Sequence, residues 1–342
     1  MRVAMYYNNR DVRIQEMPVP DIGPGEILVK VISSGICGSD VMEWYRIPKA
    51  PLVLGHEVSG EIVQTGVEVV DYHPGQRVFV SHHVPCNTCR YCLNGDHTAC
   101  ETLHTTNFDP GGFAEYVRVP RLNVDRGVFV LPEGLSFDLA TLIEPLACVV
   151  RGQRIARLRP GQSVLVLGSG MSGLLHIALA RSLGAGRIIA TDISEYRLDE
   201  AKKFGADAVI HARDDVPKAV RESNRSRPAD LAVVCTGVLS AFEQALASVD
   251  RGGTVLFFAP TEPGVSLSVP IHALWRNGTT LLPSYGGSPA DIAVAIELLA
   301  AGRLNLDGMI THRLPLERAA DGFRMAAEAS QSIKVILKPH RE

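Results

Sequence analysis

The sequence predicts an α/β protein in two parts, a β-rich part followed by a doubly wound parallel sheet. Three observations predict it. Short β-branched runs punctuated by proline and glycine fill roughly the first 145 residues. From residue 161, apolar runs of strand length alternate with segments of helical period. A glycine-rich stretch, "SVLVLGSGMSGLL", joins the first of those strands to its helix.

Taken in order, "VRIQEMPVPDIGPGEILVKVISSGI" and "VSGEIVQTGVEVVDYHPGQRVFV" carry the β-branched runs, with turns at "IGPGE" and "HPGQR". Several short strands at this spacing suggest a barrel-like or sandwich β domain. After residue 136, "SFDLATLIEPLACVVRGQRIARL" turns helical in period. "SVLVLG" then reads as a buried strand, "MSGLLHIALARSLGA" as a helix ended by Gly184, and "RIIATD" as a strand. "SEYRLDEAKKFGA" is a helix with Ser194 as its N-cap. "AVIHA" and "LAVVCTG" are strands, "LSAFEQALASVDRGG" a helix and "TVLFFA" a strand. This β-α-β-α order implies a parallel sheet covered on both faces. "PADIAVAIELLAAGRL" and "PLERAADGFRMAAEA" follow as amphipathic helices, and "SIKVILKP" closes the chain as a strand. The expected division is residues 1–146 with 284–342 in one domain and 147–283 in a dinucleotide-binding domain.

A length of 342 residues suits two domains. Lys and Arg total 34 against 37 Asp and Glu, so charge alone recruits neither nucleic acid nor an anionic membrane. "MRVAMYYNNRDVRIQEMPVP" never becomes an apolar leader, and no run reaches the roughly 18 apolar residues of a membrane span. A cytoplasmic location is expected. There the seven cysteines are unsuited to structural disulfides.

In the glycine-rich stretch, Gly168 permits a tight turn, Gly170 a close approach of pyrophosphate, and Gly173 helix–sheet packing. Met171 and Ser172 open the helix, whose free N–H groups favour phosphate. Asp192 ends the next strand, where a carboxylate accepts from ribose hydroxyls and repels a 2′-phosphate. NAD is therefore expected over NADP, although Arg197 could admit a 2′-phosphate or cover the adenine.

"PCNTCRYCLNGDHTAC" spaces Cys86, Cys89, Cys92 and Cys100 as C-x2-C-x2-C-x7-C, which suits a tetrahedral structural zinc. An iron–sulfur cluster would use the same ligands, but nothing else suggests electron transfer. The nearby His82, His83 and His97 read as surface or loop-packing residues. In "GICGSDVMEWYRIPKAPLVLGHEVSG", Cys37 and His56 can supply sulfur and nitrogen to a second zinc. Glu57 adjoins His56, and a turn at "GHE" could direct both inward. Glu144, in "LIEPLACVV", is the candidate for a further ligand; a catalytic zinc leaves one position open.

With "GICGSD", "LGHEVSGEIVQTG", "GGFAEYVRVP", "EPLAC", "VLVLGSGMSG", "VCTG" and "ITHRLPLERAADGF", the whole chain resembles the zinc-dependent medium-chain alcohol dehydrogenases, in their sorbitol (polyol) and threonine dehydrogenase branch. The resemblance implies a GroES-like catalytic domain with a zinc lobe over residues 82–112, a Rossmann domain, two zinc ions per subunit, NAD(H), and a homotetramer or homodimer. It makes Cys37 and His56 direct zinc ligands. Glu57 and Glu144 would ligate directly, through water, or in alternation. "EPLAC" has glutamate where another branch has cysteine, which points to polyols. Cys235 and Thr236 resemble part of the nicotinamide wall.

Ser39 is implied to take the substrate hydroxyl proton, with Asp40 orienting the metal site. Many relatives carry a histidine three residues after the serine to pass the proton on. Met42 stands there, and a thioether carries no proton. The route then runs through nicotinamide ribose hydroxyls or another group; Glu43 is the nearest titratable neighbour.

The implied reaction moves hydride between NAD(H) and a secondary alcohol or ketone, a polyol, sugar or cyclitol. Threonine or another hydroxy-amino acid, or a polyol phosphate, is the alternative substrate. Trp44 and Tyr45 could form an aromatic wall and Arg46 a donor, while Arg46 and Lys49 also admit a phosphate or carboxylate. A zinc-free quinone reductase would not need Cys37, His56, Glu57 and Glu144, and a non-catalytic nucleotide-binding protein would not need Ser39.

Overall fold

The computed structural model describes residues 1–340. It divides into two compact units: Met1–Ala147, Gly287–Ala301 and the chain from Asp307 onward form one, and Cys148–Gly286 with Gly302–Leu306 the other. The short excursion at Gly302–Leu306 has no signal in the sequence.

The first unit holds two sheets. The larger has seven strands, in the order Ile310–Pro315, Lys334–Lys338, Ile27–Gly35, Glu57–Thr65, Arg77–Ser81, Val128–Val130, with Tyr116–Val119 also pairing with Ile27–Gly35. The smaller has three: Asp11–Glu16, Arg2–Asn8 and Leu52–Val53. Alternate residues of the long strands supply one core, from Ile27, Val29 and Val31 to Val58, Ile62, Val78 and Val80. A second core gathers Val3, Tyr6, Phe113, Phe323 and Leu337, so the C-terminal helix Ala319–Glu328 packs on the first strands of the chain.

Asp138 ties four segments of this unit together. From the short helix Phe137–Ala140 its carboxylate accepts from Ser33 Oγ at 2.7 Å, Lys338 Nζ at 2.8 Å and Arg313 Nε at 2.7 Å. Burial works against its charge, but the bonds from Lys338, Ser33 and Arg313 outweigh it and hold the carboxyl below its ordinary value.

The second unit is a six-stranded sheet, ordered Ala208–His211, Arg187–Asp192, Ser163–Leu167, Ala229–Val234, Val249–Phe257, Thr280–Pro283. All neighbours are parallel. The order reverses between Ser163–Leu167 and Ala229–Val234, the switch point at which doubly wound sheets bind ligands. Every residue of Ser163–Leu167 is buried, as its unbroken apolar run predicts. Helix Met171–Ser182 ends at Leu183, and Gly184 follows with φ +82°, the left-handed geometry glycine tolerates at a helix end.

Three elements of this second unit lay unread in the sequence: helices Val216–Ser223 and Ile271–Asn277, and the unit's last strand, Thr280–Pro283. The first is short, with a proline in its first turn and only Val216 and Val220 buried. The strand read at "TVLFFA" begins earlier, at Val249. Ser194 occupies the expected N-cap position but makes no side-chain cap bond; its N–H is taken by Asp192 Oδ1 at 3.0 Å. Among the described residues no helix is long and apolar enough to cross a membrane.

Because the folded-state value of Asp138 lies below the unfolded one, its stabilisation is complete above the ordinary carboxylate range and fades as pH falls through the folded value. Asp138→Asn should therefore cost about 1–3 kcal/mol near neutral pH. Thermal melts should show the gap between the two proteins closing below about pH 4; a pH-independent gap would contradict this.

Candidate active site

One strand end assembles the site. Glu57 begins the strand Glu57–Thr65 and is paired on both sides, opposite Gly35 and opposite Ser81. The antiparallel register therefore brings the residues just after Gly35, just before Glu57 and just after Ser81 to one edge. Those residues include Cys37, His56 and His82. Gly55 turns the chain into His56 with φ +94°, and a Cβ there would press on Phe113.

Cys37 caps the short 3₁₀ helix Gly38–Val41. Its Sγ accepts from Ser39 N–H at 3.4 Å, and Asp40 Oδ2 reaches back to Cys37 N–H at 3.0 Å. The other Asp40 oxygen lies 3.4 Å from His56 Nδ1 and 3.3 Å from Arg46 Nη2. Asp40 is fully buried; burial opposes its charge, but His56, Arg46 and the Cys37 N–H outweigh burial and lower its carboxyl. His56 lies against Asp40 at Nδ1, and its ring also comes close to Cys37. Burial also disfavours charge on His56, yet Asp40 and Cys37 overcome it and hold the ring well above its ordinary value.

Glu57 forms a fully buried ion pair with Lys334, whose Nζ also donates to Ile36 O at 3.1 Å. A Cβ on Gly35 would overlap the paired carboxylate oxygen. Removing either partner would strand a buried charge at a cost of about 3–5 kcal/mol. The second oxygen, Glu57 Oε1, is buried without a hydrogen-bond partner. Ligand atoms of Cys37, His56 and Glu57 lie within 4.8 Å of one another. A thiol, an imidazole nitrogen and an orphaned carboxylate oxygen fit zinc. Glu144 lies in the first turn of helix Ile143–Ile155 and is outside this close group.

Ser39 meets Arg46, whose Nη2 donates to Ser39 Oγ at 3.1 Å and Nε to Ser39 O at 2.9 Å. Glu43 instead points at Asn9, accepting its N–H at 3.0 Å. Trp44 and Tyr45 are each 37% exposed, and the Tyr45 ring lies 4.5 Å from the Arg46 guanidinium and 4.1 Å from Lys49 Nζ.

His82 and His83 lie in the segment after strand Arg77–Ser81 and pack on neighbouring rings, outside both metal-binding groups. The His82 ring packs 4.8 Å from His56 and 3.8 Å from His83. Burial, reinforced by the charges around it, pushes His82 well below its ordinary value, and burial first, then His56, takes His83 down to about 3. Both rings are neutral. The signal in the sequence was the pairing of "GHE" against "VSHH", which requires knowing the register.

Cys86, Cys89, Cys92 and Cys100 also gather within 4.8 Å. Cys92 Sγ is 3.9 Å from Cys86 Sγ and 3.5 Å from Cys89 Sγ, near the edge of about 3.8 Å for a tetrahedron of Zn–S bonds of about 2.3 Å. Cys86 Sγ accepts from Thr88 and Cys89 N–H at 3.4 and 3.2 Å. Hydrogen bonds from Thr88 and then Cys89 lower its thiol to about 5, while burial pushes Cys92 up to about 12. Apart from the four sulfurs, Leu103 is the only member of this cluster, so the lobe has little apolar core of its own.

In the second unit Gly168 has φ +93°, and a Cβ on it would lie 3.2 Å from Thr236 Cβ and 3.3 Å from the Cys235 backbone. Gly173 packs on the Gly168 carbonyl, while the space beside Gly170 is open except for Arg197 Nη1 at 3.8 Å. Met171 and Ser172 open the helix. Asp192 accepts from Ser169 N–H at 2.8 Å and lies 3.8 Å from Arg197 Nη1. Burial pushes the Cys235 thiol up, so it stays neutral.

Residues 23–133 match the family model of the alcohol dehydrogenase GroES-like domain, and residues 173–301 that of the zinc-binding dehydrogenases. Sorbitol dehydrogenase of Bacillus subtilis is 32% identical over 360 residues, covering 100% of this chain and 98% of its own length. The chain belongs to the zinc-dependent medium-chain alcohol dehydrogenases. Among solved structures, the dehydrogenase shares 28% identity and a TM-score of 0.88 with a zinc-binding dehydrogenase of Sinorhizobium meliloti bound to NADP, each chain covered to 99%. It shares 30% identity and a TM-score of 0.85 with galactitol-1-phosphate dehydrogenase of Escherichia coli, covering 99% of this chain and 100% of that one.

The intact dehydrogenase should bind about two zinc ions per chain. Elemental analysis of Cys37→Ser should find about one, with the melting temperature little changed. Cys100→Ser should also lose one zinc and melt lower, because the lobe has few apolar contacts to replace it.

Proposed function

We propose that this dehydrogenase oxidises a secondary alcohol of a polyol, sugar or cyclitol with NAD, and reduces the matching ketone. The observation that carries the reading is the cation-seeking group Cys37, His56 and Glu57, with Ser39 bonded to Cys37 Sγ through its own N–H. In this reading those three residues hold zinc, Glu144 supplies the outer carboxylate, and Cys86, Cys89, Cys92 and Cys100 hold the structural ion. Held there, zinc would act as a Lewis acid on the substrate hydroxyl, and a bound nicotinamide would supply the hydride acceptor.

Ser39 Oγ accepts the substrate proton. Arg46 Nη2 occupies one of its lone pairs and leaves the other free. The guanidinium stays charged, so Arg46 positions Ser39 and does not carry the proton. Glu43, turned to Asn9, is not the next carrier, and the proton leaves Ser39 through ribose hydroxyls or water. Gly168, Gly170, Met171, Ser172 and Gly173 would hold the pyrophosphate, and Cys235 and Thr236 would line the nicotinamide. Asp192 would take the adenosine ribose and favour NAD over NADP, with Arg197 able to cover the adenine or admit a 2′-phosphate. Sorbitol dehydrogenase as a relative supports the polyol class. A homo-oligomer in the cytoplasm completes the proposal.

A screen of NAD and NADP reduction with sorbitol, xylitol, inositols, threonine and a polyol phosphate tests it. Turnover is expected with NAD on a polyol or cyclitol; turnover confined to threonine or the phosphate would overturn the substrate class, and none at all would overturn the reading. Ser39→Ala should lower kcat about 100-fold with zinc content unchanged.

A further inference from the structure

We infer that Asn9, at the tip of the first hairpin, is a positioning residue for the reaction: it locks together the two short helices that carry Ser39 and Arg46, and so keeps the guanidinium on the serine. This rests on the role of Ser39 proposed above.

The need for a lock comes from the helices themselves. Ser39 lies in the 3₁₀ helix Gly38–Val41 and Arg46 in the helix Glu43–Arg46, each four residues long. Helices this short are not stable by themselves. Cys37 and Asp40 fasten the near end of the first. Met42 joins the two in extended conformation, with φ −79° and ψ 91°, and its side chain makes no capping bond to the second. The junction at Met42 is left to be held from outside.

Asn9 spans it. Its Nδ2 donates at 2.8 Å to the carbonyl of Val41, the last residue of the first helix. Its N–H donates at 3.0 Å to Oε1 of Glu43, the first residue of the second. The amide is itself oriented: Oδ1 accepts from the Tyr6 hydroxyl at 3.0 Å, and Tyr6 is fully buried with its ring centroid 5.4 Å from that of Phe323. Burial pushes this hydroxyl up to about 12, so it stays protonated and donates. Across the junction, Arg46 reaches back to Ser39 Oγ and Ser39 O.

Turn chemistry does not account for Asn9. Asparagine enters turns by tolerating left-handed backbone or by bonding its own backbone nearby. Asn9 does neither: its φ is not positive, and its side chain reaches a carbonyl 32 residues away. The local turn bond belongs to Asn8, whose Oδ1 accepts from the Arg10 N–H at 2.9 Å.

The test measures kcat, KM and zinc content of Asn9→Ala, Arg46→Lys and the double variant on sorbitol, or on the best substrate of the screen above. Asn9→Ala should lower kcat about 10-fold, leave KM within about twofold and keep its zinc. Arg46→Lys keeps a charge beside Asp40 without the fork on Ser39. Adding Asn9→Ala to it should cost no more than about twofold further. An unchanged kcat in Asn9→Ala, a loss explained by lost zinc, or losses that multiply in the double variant would overturn the inference. Glu43→Gln keeps an acceptor for the Asn9 N–H and should retain more activity than Glu43→Ala; equal losses would also overturn it. Hydrogen exchange in the zinc-loaded enzyme without nucleotide gives a readout independent of turnover. Asn9→Ala should speed exchange over residues 37–46 and leave the strand Glu57–Thr65 as it was; no change over 37–46, or an equal rise in the strand, would contradict the lock. If the wild type turns over none of the alcohols, the reading of Ser39 fails, and the lock stands or falls on the exchange alone.

Discussion

Glu57 is held in register on both sides, opposite Gly35 and opposite Ser81, and the first unit's chemistry depends on that double pairing. Slipping either neighbour by one residue would exchange the two faces of the strand. Cys37, His56 and His82 would then no longer meet, and Glu57 would lose Lys334. Gly35 shows how tightly the register is filled, since any side chain there would displace the carboxylate. The register is itself fixed by apolar alternation further along, where Val29, Val31, Val58, Ile62, Val78 and Val80 all point into one core.

Within that frame the site is an arrangement of buried charges. Asp40 and Glu57 are both fully buried, and each is held by a cation of the chain, Arg46 and Lys334 respectively. Lys334 satisfies only one oxygen of Glu57, and Asp40 fixes one nitrogen of His56. What remains close together is a thiol, an imidazole and a carboxylate oxygen, Glu57 Oε1, that has no partner, a donor set that fits a zinc ion. In the second unit Asp192 is likewise committed, bonded to Ser169 and Ser194 N–H, so it locks the glycine loop as well as ending its strand.

Much of this was legible in the sequence, and the limits are physical. The four-cysteine lobe and the glycine loop are local: a spacing within fifteen or so residues specifies the geometry. Cys37, His56 and Glu57 could be named because they fall in short, distinctive stretches. Lys334 could not, since its partner is 277 residues away and a lysine in a closing strand reads as exposed. His82 and His83 were read as surface or loop-packing residues, and only the strand pairing reveals that the ring His82 packs on is His56. Arg46 was read as a possible substrate donor; its contacts with Ser39 and Asp40 went unread because they depend on how the short helix Glu43–Arg46 folds back. Helix Val216–Ser223 went unread because it is short and buries only two side chains.

Zinc K-edge X-ray absorption on the intact dehydrogenase tests most directly whether the pre-organised donors bind metal. Wild type should show a mixed shell, with five sulfur donors from Cys37, Cys86, Cys89, Cys92 and Cys100 shared between two ions, and lighter donors from His56 and Glu57 at about 2.0–2.2 Å. Cys37→Ser should leave mainly the all-sulfur shell at about 2.3 Å. An all-sulfur shell already present in the wild type, or a variant spectrum identical to it, would contradict a zinc site at Cys37, His56 and Glu57.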